Sequence, residues 1–333
     1  MTENLEAVVR AHAAGIPSPA VFDLVRGPIP SCPAHGALVE VVLAAVDPAM
    51  RGWLNTDANY FNVSPGDVMP SHGIARILES RIDGWTRGDL VFGWFGWRRF
   101  AAAEAQDLMW RVDLAAAPIE AWLHLLGLNG LTAWLGLHHF AVPVAGETIL
   151  VTTAAGGVGS IVGQLAREVG LRTVGLTSGA GKMVMAKRIF GYDEVIDYRA
   201  RADLRAAICS AAPDGIDIFF DNVSGGIADA VFAHLNRGAR IIQCGTASVP
   251  DWTSVPTSPR KDRDMLVKRL TWKGFVALDH AELFPSVSEI LKRLLREHRL
   301  HGSYDILEGL AAAPGAIERL YKGENTGRLL IRP

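Results

Sequence analysis

The sequence predicts an α/β protein in which a doubly wound parallel sheet is joined to a second, β-rich domain. Three observations carry this. From residue 148 onward, short apolar bursts alternate with segments of helical period, the pattern of a parallel sheet covered on both faces. Between residues 37 and about 115, short strand-like runs are separated by Gly, Pro and Asp, with no long helix among them. The 333 residues also exceed what one small core fills.

In the first domain, 38–43 (LVEVVL) is strand material and 47–52 (DPAMRG) a loop. Strands are expected again over 74–79 and 90–92, with turns at Asp83-Gly84 and Arg87-Gly88-Asp89. Helical segments follow near 117–120 and 131–137. The parallel sheet is then read from strands at 149–151, 172–176, 194–197, 216–220 and 240–243. Helices intervene over 161–169, from Lys182, and over 203–211. The stretch 249–263 is rich in Pro, Ser, Thr and charge and reads as a loop or flap. An amphipathic helix follows over 284–299. A last strand, 328–331, is expected to return to the β-rich domain, which divides the chain into 1–122 with 302–333, and 123–301.

Composition narrows the function classes. Lys plus Arg number 33 against 35 Asp plus Glu, so there is no basic excess to hold nucleic acid or an anionic membrane. No apolar stretch reaches the length of a membrane span, and the N-terminus carries acidic residues without an apolar signal core. Three scattered cysteines, Cys32, Cys209 and Cys244, form no C-x-x-C pair and point to a reduced, cytoplasmic setting without a disulfide framework.

The strand at 149–151 runs straight into Ala154-Ala155-Gly156-Gly157-Val158-Gly159 and then into a helix. Strand, glycine turn and helix form the context in which backbone N–H groups and a helix N-terminus receive a dinucleotide pyrophosphate. Alanine replaces the first glycine of G-x-G-x-x-G, and a plain tight turn gives the same pattern. The second strand ends Thr177-Ser178-Gly179-Ala180-Gly181-Lys182, without the carboxylate that would bind a ribose 2′-hydroxyl. Lys182 is suited to a 2′-phosphate and Ser178 to a hydrogen bond with it, which favours NADPH over NADH. The alternative for Lys182 is an ordinary solvated lysine, although a helix start disfavours a cation with no anion nearby.

Several stretches then carry a resemblance over most of the chain. They are Val46-Asp47-Pro48-Ala49-Met50-Arg51-Gly52, Asn129-Gly130-Leu131-Thr132-Ala133-Trp134, the glycine turn, Gly181-Lys182 and Asp197-Tyr198. Phe220-Asp221-Asn222-Val223, Gln243-Cys244-Gly245, Lys273-Gly274-Phe275 and Gly323-Glu324-Asn325-Thr326-Gly327-Arg328 complete the set. In this order they resemble the medium-chain dehydrogenase/reductase superfamily, and specifically its zinc-independent branch of prostaglandin, plant 2-alkenal (double-bond) and bacterial curcumin reductases. The resemblance implies a Rossmann-type domain, a GroES-like catalytic domain and a homodimer. It also implies cofactor contacts from Ala155, Gly156, Gly157, Val158, Gly159, Lys182, Tyr198 and Asn222. Further contacts are implied from the backbone of Cys244, Gly245, Thr246 and Ala247, and from Phe275, Val276, Asn325 and Thr132. Phe275 and Val276 read equally well as core strand residues, and Asn222 and Asn325 as turn residues.

Zinc members of the superfamily use a cysteine and a histidine-glutamate pair. Here no cysteine lies between Cys32 and Cys209, Gly73 follows His72, and His138-His139 reads as a helix-end or surface pair, so no metal is expected. The chemistry then expected is NADPH-dependent hydride transfer to the β-carbon of an α,β-unsaturated ketone or aldehyde. Tyr60 is the expected acid or hydrogen-bond donor; the alternative is an aromatic anchoring its loop. Met50, Arg51 and Trp252 are expected in the substrate pocket. Trp252 stands where many relatives place a flap tyrosine, and Trp53, Trp94 and Trp97 either line the pocket or pack the domain. The rival activities are quinone reduction and, in a different class, non-catalytic NADPH sensing.

Overall fold

The structure is a computed structural model that describes residues 3–56, 59–249 and 256–333. It separates into two compact units, one of residues up to Leu123 with Tyr304–Pro333, the other His124–Ser303.

In the first unit, strands β1 (Glu3–Val9) and β2 (Phe22–Pro28) form an antiparallel hairpin. Strand β3 (Gly36–Ala45) is the spine of a larger sheet. It pairs antiparallel with β4 (His72–Ser80) and with β6 (Phe100–Glu104). The sheet extends through β5 (Leu90–Trp94) and β7 (Leu108–Arg111). Alternation places Ala37, Val39, Val41 and Leu43 of β3 in the interior.

Among its described residues, the second unit holds a sheet of six parallel strands. They are β8 (Thr148–Thr152), β9 (Arg172–Thr177), β10 (Glu194–Asp197), β11 (Ile216–Asp221), β12 (Leu235–Gln243) and β13 (Thr271–Gly274). Their order is β10-β9-β8-β11-β12-β13, so the winding reverses between β8 and β11. Leu150, Val174, Leu176, Phe219 and Ile241 are fully buried, as strands covered on both faces require.

The chain then re-enters the first sheet with β14 (Tyr304–Glu308) and β15 (Arg328–Arg332). Strand β15 runs antiparallel to β3, with Leu330 opposite Ala45 and Ile331 opposite Ala44. The expected return strand is therefore present, and β14 adds a parallel edge beside it.

What fastens that return is an ion pair between buried Arg328 and half-buried Asp47. Arg328 grips both oxygens of Asp47, with Nη2 donating to Oδ2 at 3.1 Å, and Nη1 also donates to the carbonyl of Val46 at 3.1 Å. Tyr321 Oη donates to the carbonyl of Pro48 at 2.8 Å, and the Arg51 guanidinium lies 4.3 Å over the Tyr321 ring. Two motifs nearly 300 residues apart thus lock together.

Six strands, β1, β2, β6, β7, β13 and β14, were not expected. Strand β13 is an exposed edge, Thr-Trp-Lys-Gly, with no apolar alternation to announce it; only its pairing with β12 makes it a strand. The expected loop at 249–263 ends in a helix, Asp262–Lys268; its residues 250–255 lie outside the described residues. Among the described residues no helix is long and apolar enough to cross a membrane.

His72, at the start of β4, is buried with its ring 3.7 Å from that of Trp94, and Asp47 and Arg328 are the charges it feels. Burial lowers its pKa to about 4, against a partial upward pull from Asp47 and a further downward push from Arg328. The fold therefore holds the neutral ring, whereas the unfolded chain protonates near 6.5. Stability from this residue is complete above pH 6.5 and is lost as pH falls toward 4, by up to about 3 kcal/mol. Urea unfolding at pH 7.5 and 4.5 checks this: His72→Leu should show a smaller loss between the two pH values than the wild type.

Candidate functional site

The reversal of strand order between β8 and β11 opens a crevice beyond their carboxyl ends, where open α/β sheets bind ligands. The glycine turn forms one side of it. Thr153, just past β8, is left-handed at φ 54°, and Gly156 N–H donates to its carbonyl at 2.7 Å, closing the turn. The helix Gly159–Glu168 starts at once. A Cβ at Gly159 would lie 2.3 Å from the Thr153 carbonyl oxygen, so only glycine lets the helix begin this close to the strand. Behind the turn, Tyr192 Oη donates to the Gly159 carbonyl at 2.6 Å while its ring lies against Gly163 and Gly175. The N–H groups of Gly157, Val158 and Gly159 donate to no group among the described residues. Together with the helix start, they form a seat for an anion.

The other side is organised by Asp221, buried at the end of β11. Its carboxylate accepts from the N–H groups of Val223 (2.9 Å) and Ser224 (3.0 and 3.1 Å), from Gln243 Nε2 (3.2 Å) and from Thr152 Oγ1 (3.3 Å). Burial raises its pKa above the ordinary carboxylate value, with those donors pulling the other way. Its backbone carbonyl accepts from Cys244 and Gly245, which lays 244–248 against 221–224. Gly245 is again required by space, since a Cβ there would lie 2.8 Å from the carbonyl of Asn222. Asn222 bridges to β8: its N–H meets Thr152 Oγ1 at 2.7 Å and its Nδ2 meets the Thr152 carbonyl at 2.8 Å. Cys244 has its thiol pushed up to about 12 by burial and by Asp221, which keeps it uncharged.

At the ends of β9 and β10, Tyr198 N–H donates to the carbonyl of Thr177 at 3.1 Å, and Gly179 N–H donates to Asp197 at 2.9 Å. Ser178 lies in this turn, and Lys182 is the third residue of the helix Ala180–Arg188, whose first turn has no acidic residue. Arg199 stands 5.9 Å from the Tyr198 ring and adds a second cation that sequence reasoning passed over; its adjacency to Asp197-Tyr198 was the available signal.

The structure thus gathers the turn, Asn222, 244–247, Ser178, Lys182 and Tyr198 along one edge of the second unit's sheet. Thr132 is in the same unit, with its hydroxyl returned to the Leu128 carbonyl at 2.7 Å. Phe275 and Val276 are half-buried just beyond β13, with Phe275 5.0 Å from the ring of Phe140. Asp221 and Gln243, which brace the crevice, were not singled out from sequence as site residues, since their importance rests on contacts distant in the chain.

The remaining residues belong to the first unit. Met50 was expected in the substrate pocket but is wholly buried in the aliphatic core, where an apolar thioether packs better than it would at a ligand surface. Trp97 is likewise in the core, donating to the Ala45 carbonyl at 2.9 Å. Arg51 is nearly buried over Tyr321, and Asn325 is buried with Nδ2 donating to the Gly327 carbonyl at 2.7 Å. Tyr60 is 62% exposed and sits edge-on to Trp53, 6.4 Å between centroids. Phe61 stacks on Trp94 at 5.9 Å, and Trp94 in turn meets Trp53 at 5.9 Å, so Tyr60 stands on an aromatic ledge. Trp252 lies outside the described residues. Among the described residues, no group of three or more His, Cys, Asp or Glu side chains could hold a metal ion. His139 is exposed and His138 half-buried in the π-helical turn Leu135–Ala141.

Comparison with known proteins agrees with this architecture. Residues 6–110 match a family described as the N-terminal domain of oxidoreductase, and 157–293 one described as zinc-binding dehydrogenase. The chain is 34% identical over 339 residues to the NADPH-dependent curcumin reductase of Escherichia coli (strain K12), covering 99% of this chain and 96% of that protein. It is 29% identical to the NADP(+)-dependent 2-alkenal reductase of Nicotiana tabacum, covering 98% and 97%. The crystal structure of CurA in complex with NADPH from Vibrio vulnificus superimposes with a TM-score of 0.92 at 29% identity, covering 98% of each chain.

Gly159→Ala puts a methyl group into the Thr153 carbonyl. It should cost about 1–3 kcal/mol in urea unfolding, whereas Gly181→Ala, where the added Cβ meets nothing within 4 Å, should not destabilise the protein.

Proposed function

The chain belongs to the medium-chain dehydrogenase/reductase superfamily, in its zinc-independent branch of NADPH reductases, and from that premise we propose that it reduces the carbon–carbon double bond of α,β-unsaturated ketones or aldehydes. The observation that carries the cofactor half of this reading is the crevice edge itself. Three N–H groups at a helix start that donate to no group among the described residues suit a pyrophosphate, and the crowding at Gly159 keeps that seat free of side chain. At the far end, Lys182, Ser178 and Tyr198 replace the carboxylate that would repel a 2′-phosphate. NADPH held there supplies a hydride to the β-carbon of the substrate.

The protein's own part is orientation and charge. The turn fixes the pyrophosphate, and Lys182 offsets the 2′-phosphate. Asn222 and the 244–247 loop are held by Asp221 in one arrangement, so little reorganisation accompanies reaction. The Tyr60 phenol is the donor we assign to the carbonyl oxygen, on which negative charge develops as the hydride arrives. A phenol donates without prior activation, and the ledge of Trp53, Phe61 and Trp94 offers flat apolar surface to a conjugated substrate.

Absorbance at the reduced nicotinamide band, followed over a panel of enals, enones and quinones with NADPH and NADH in parallel, tests the reading. Enones and enals with NADPH should turn over fastest; faster quinone turnover would reassign the substrate. Lys182→Ala should weaken NADPH about tenfold or more while leaving NADH nearly unchanged; equal losses would remove Lys182 from the phosphate site. Tyr60→Phe should lower kcat about tenfold to a hundredfold with KM little altered. A change confined to KM would make Tyr60 a packing residue.

A further inference from the structure

The glycine turn is held from behind by a residue outside every motif described above. His124 is fully buried, and its Nε2 lies 2.7 Å from the carbonyl oxygen of Gly157. A carbonyl only accepts, so the proton of this bond is on Nε2. The histidine is itself anchored: its backbone carbonyl accepts from the N–H groups of Gly127 (3.3 Å) and Gly130 (3.2 Å) at the start of the helix Leu128–Trp134. Its ring is thus a fixed post rather than a side chain free to follow the turn. Among the described residues, the only other side-chain donor near the Gly157 carbonyl is Ser160 Oγ, at a long 3.5 Å.

The consequence follows from peptide geometry. The bond between Gly157 and Val158 is trans, so its C=O and N–H point in opposite directions. A carbonyl held toward His124 turns the Val158 N–H away from the protein interior that His124 occupies. That N–H is one of the three that donate to no group among the described residues. Glycine at 157 has no Cβ to restrict its backbone, so this peptide plane can rotate with little steric resistance. Something must therefore hold it.

We infer that His124 is a positioning residue for the pyrophosphate seat, holding the 157–158 peptide in the orientation that presents the Val158 N–H to the anion. The inference rests on the reading of the turn as an NADPH site. It makes a prediction that a general packing role does not: the loss on removing His124 falls on the pyrophosphate and not on the adenosine 2′-phosphate, which is held at the ends of β9 and β10.

Titration calorimetry of the full-length protein with NADP+ and with adenosine 2′-monophosphate, which lacks a pyrophosphate, separates the possibilities. His124→Leu should weaken NADP+ about tenfold and leave adenosine 2′-monophosphate within about twofold. His124→Gln, whose amide N–H reaches a similar position, should recover most of the NADP+ affinity. Equal weakening of both ligands by His124→Leu, unchanged NADP+ binding, or a glutamine variant as weak as leucine would each overturn the assignment while leaving the nucleotide site in place. A wild-type protein that binds neither ligand would overturn the reading of the turn itself.

Discussion

The second unit depends on one buried carboxylate. Asp221 ends the strand at which the winding reverses, and its oxygens collect donors from its own following loop, from β8 and from the end of β12. A charge taken out of water is tolerated only when donors replace the solvent. Here they do so unevenly, since burial still leaves the pKa raised. The same donors are the backbone of the loops that frame the crevice, so satisfying the carboxylate and shaping the crevice are one event. Removing the carboxylate would leave the N–H groups of Val223 and Ser224 to find other acceptors, and the loops would lose their common reference point.

The first unit solves a different problem, that of holding a chain end that has been away for nearly two hundred residues. Backbone pairing of β15 with β3 is short, covering Leu330 and Ile331, with the Val46 N–H donating to the Leu329 carbonyl just beyond it. The Arg328–Asp47 pair adds directional bonds just where the ladder is short, and Tyr321 and Arg51 extend that contact along the 46–51 loop. Because Arg presents a planar fork to a carboxylate, a lysine at 328 would keep the charge and lose the second bond.

Much of this was legible in the chain. The strands at 148–152 and 194–197 and the helix capped by Asp203 follow from apolar bursts and a capping side chain, which are local signals. The glycine turn was legible because its spacing reports a steric demand, confirmed by the crowding at Gly159. What stayed hidden depends on partners far away in sequence. Strand β13 has no apolar face, and Arg240 reads as an ordinary strand residue until Glu147 supplies its two acceptors, each at 2.7 Å. Met50 misled for a related reason: its motif neighbours suggested a ligand surface, but the core had claimed its side chain. His124 carried no signal at all, since a histidine in an apolar run has no marker of what its ring will meet.

The crevice also has to survive the chemistry proposed for it. An α,β-unsaturated carbonyl is electrophilic at the carbon that receives the hydride, and a thiolate attacks the same carbon. Cys244 lies in the loop that frames the crevice, so a reactive thiolate there would be consumed by the substrate. Burial and the neighbouring Asp221 push this thiol up to about 12, which leaves almost none of it ionised at neutral pH. The carboxylate that orders the loops therefore also disfavours negative charge on the cysteine between them. A cationic neighbour in its place would order other acceptors and would lower the thiol's pKa, exposing the site to alkylation. An acidic hub suits a hydride-transfer site of this kind better than a basic one, because it organises the backbone through N–H donors and keeps the adjacent nucleophile protonated.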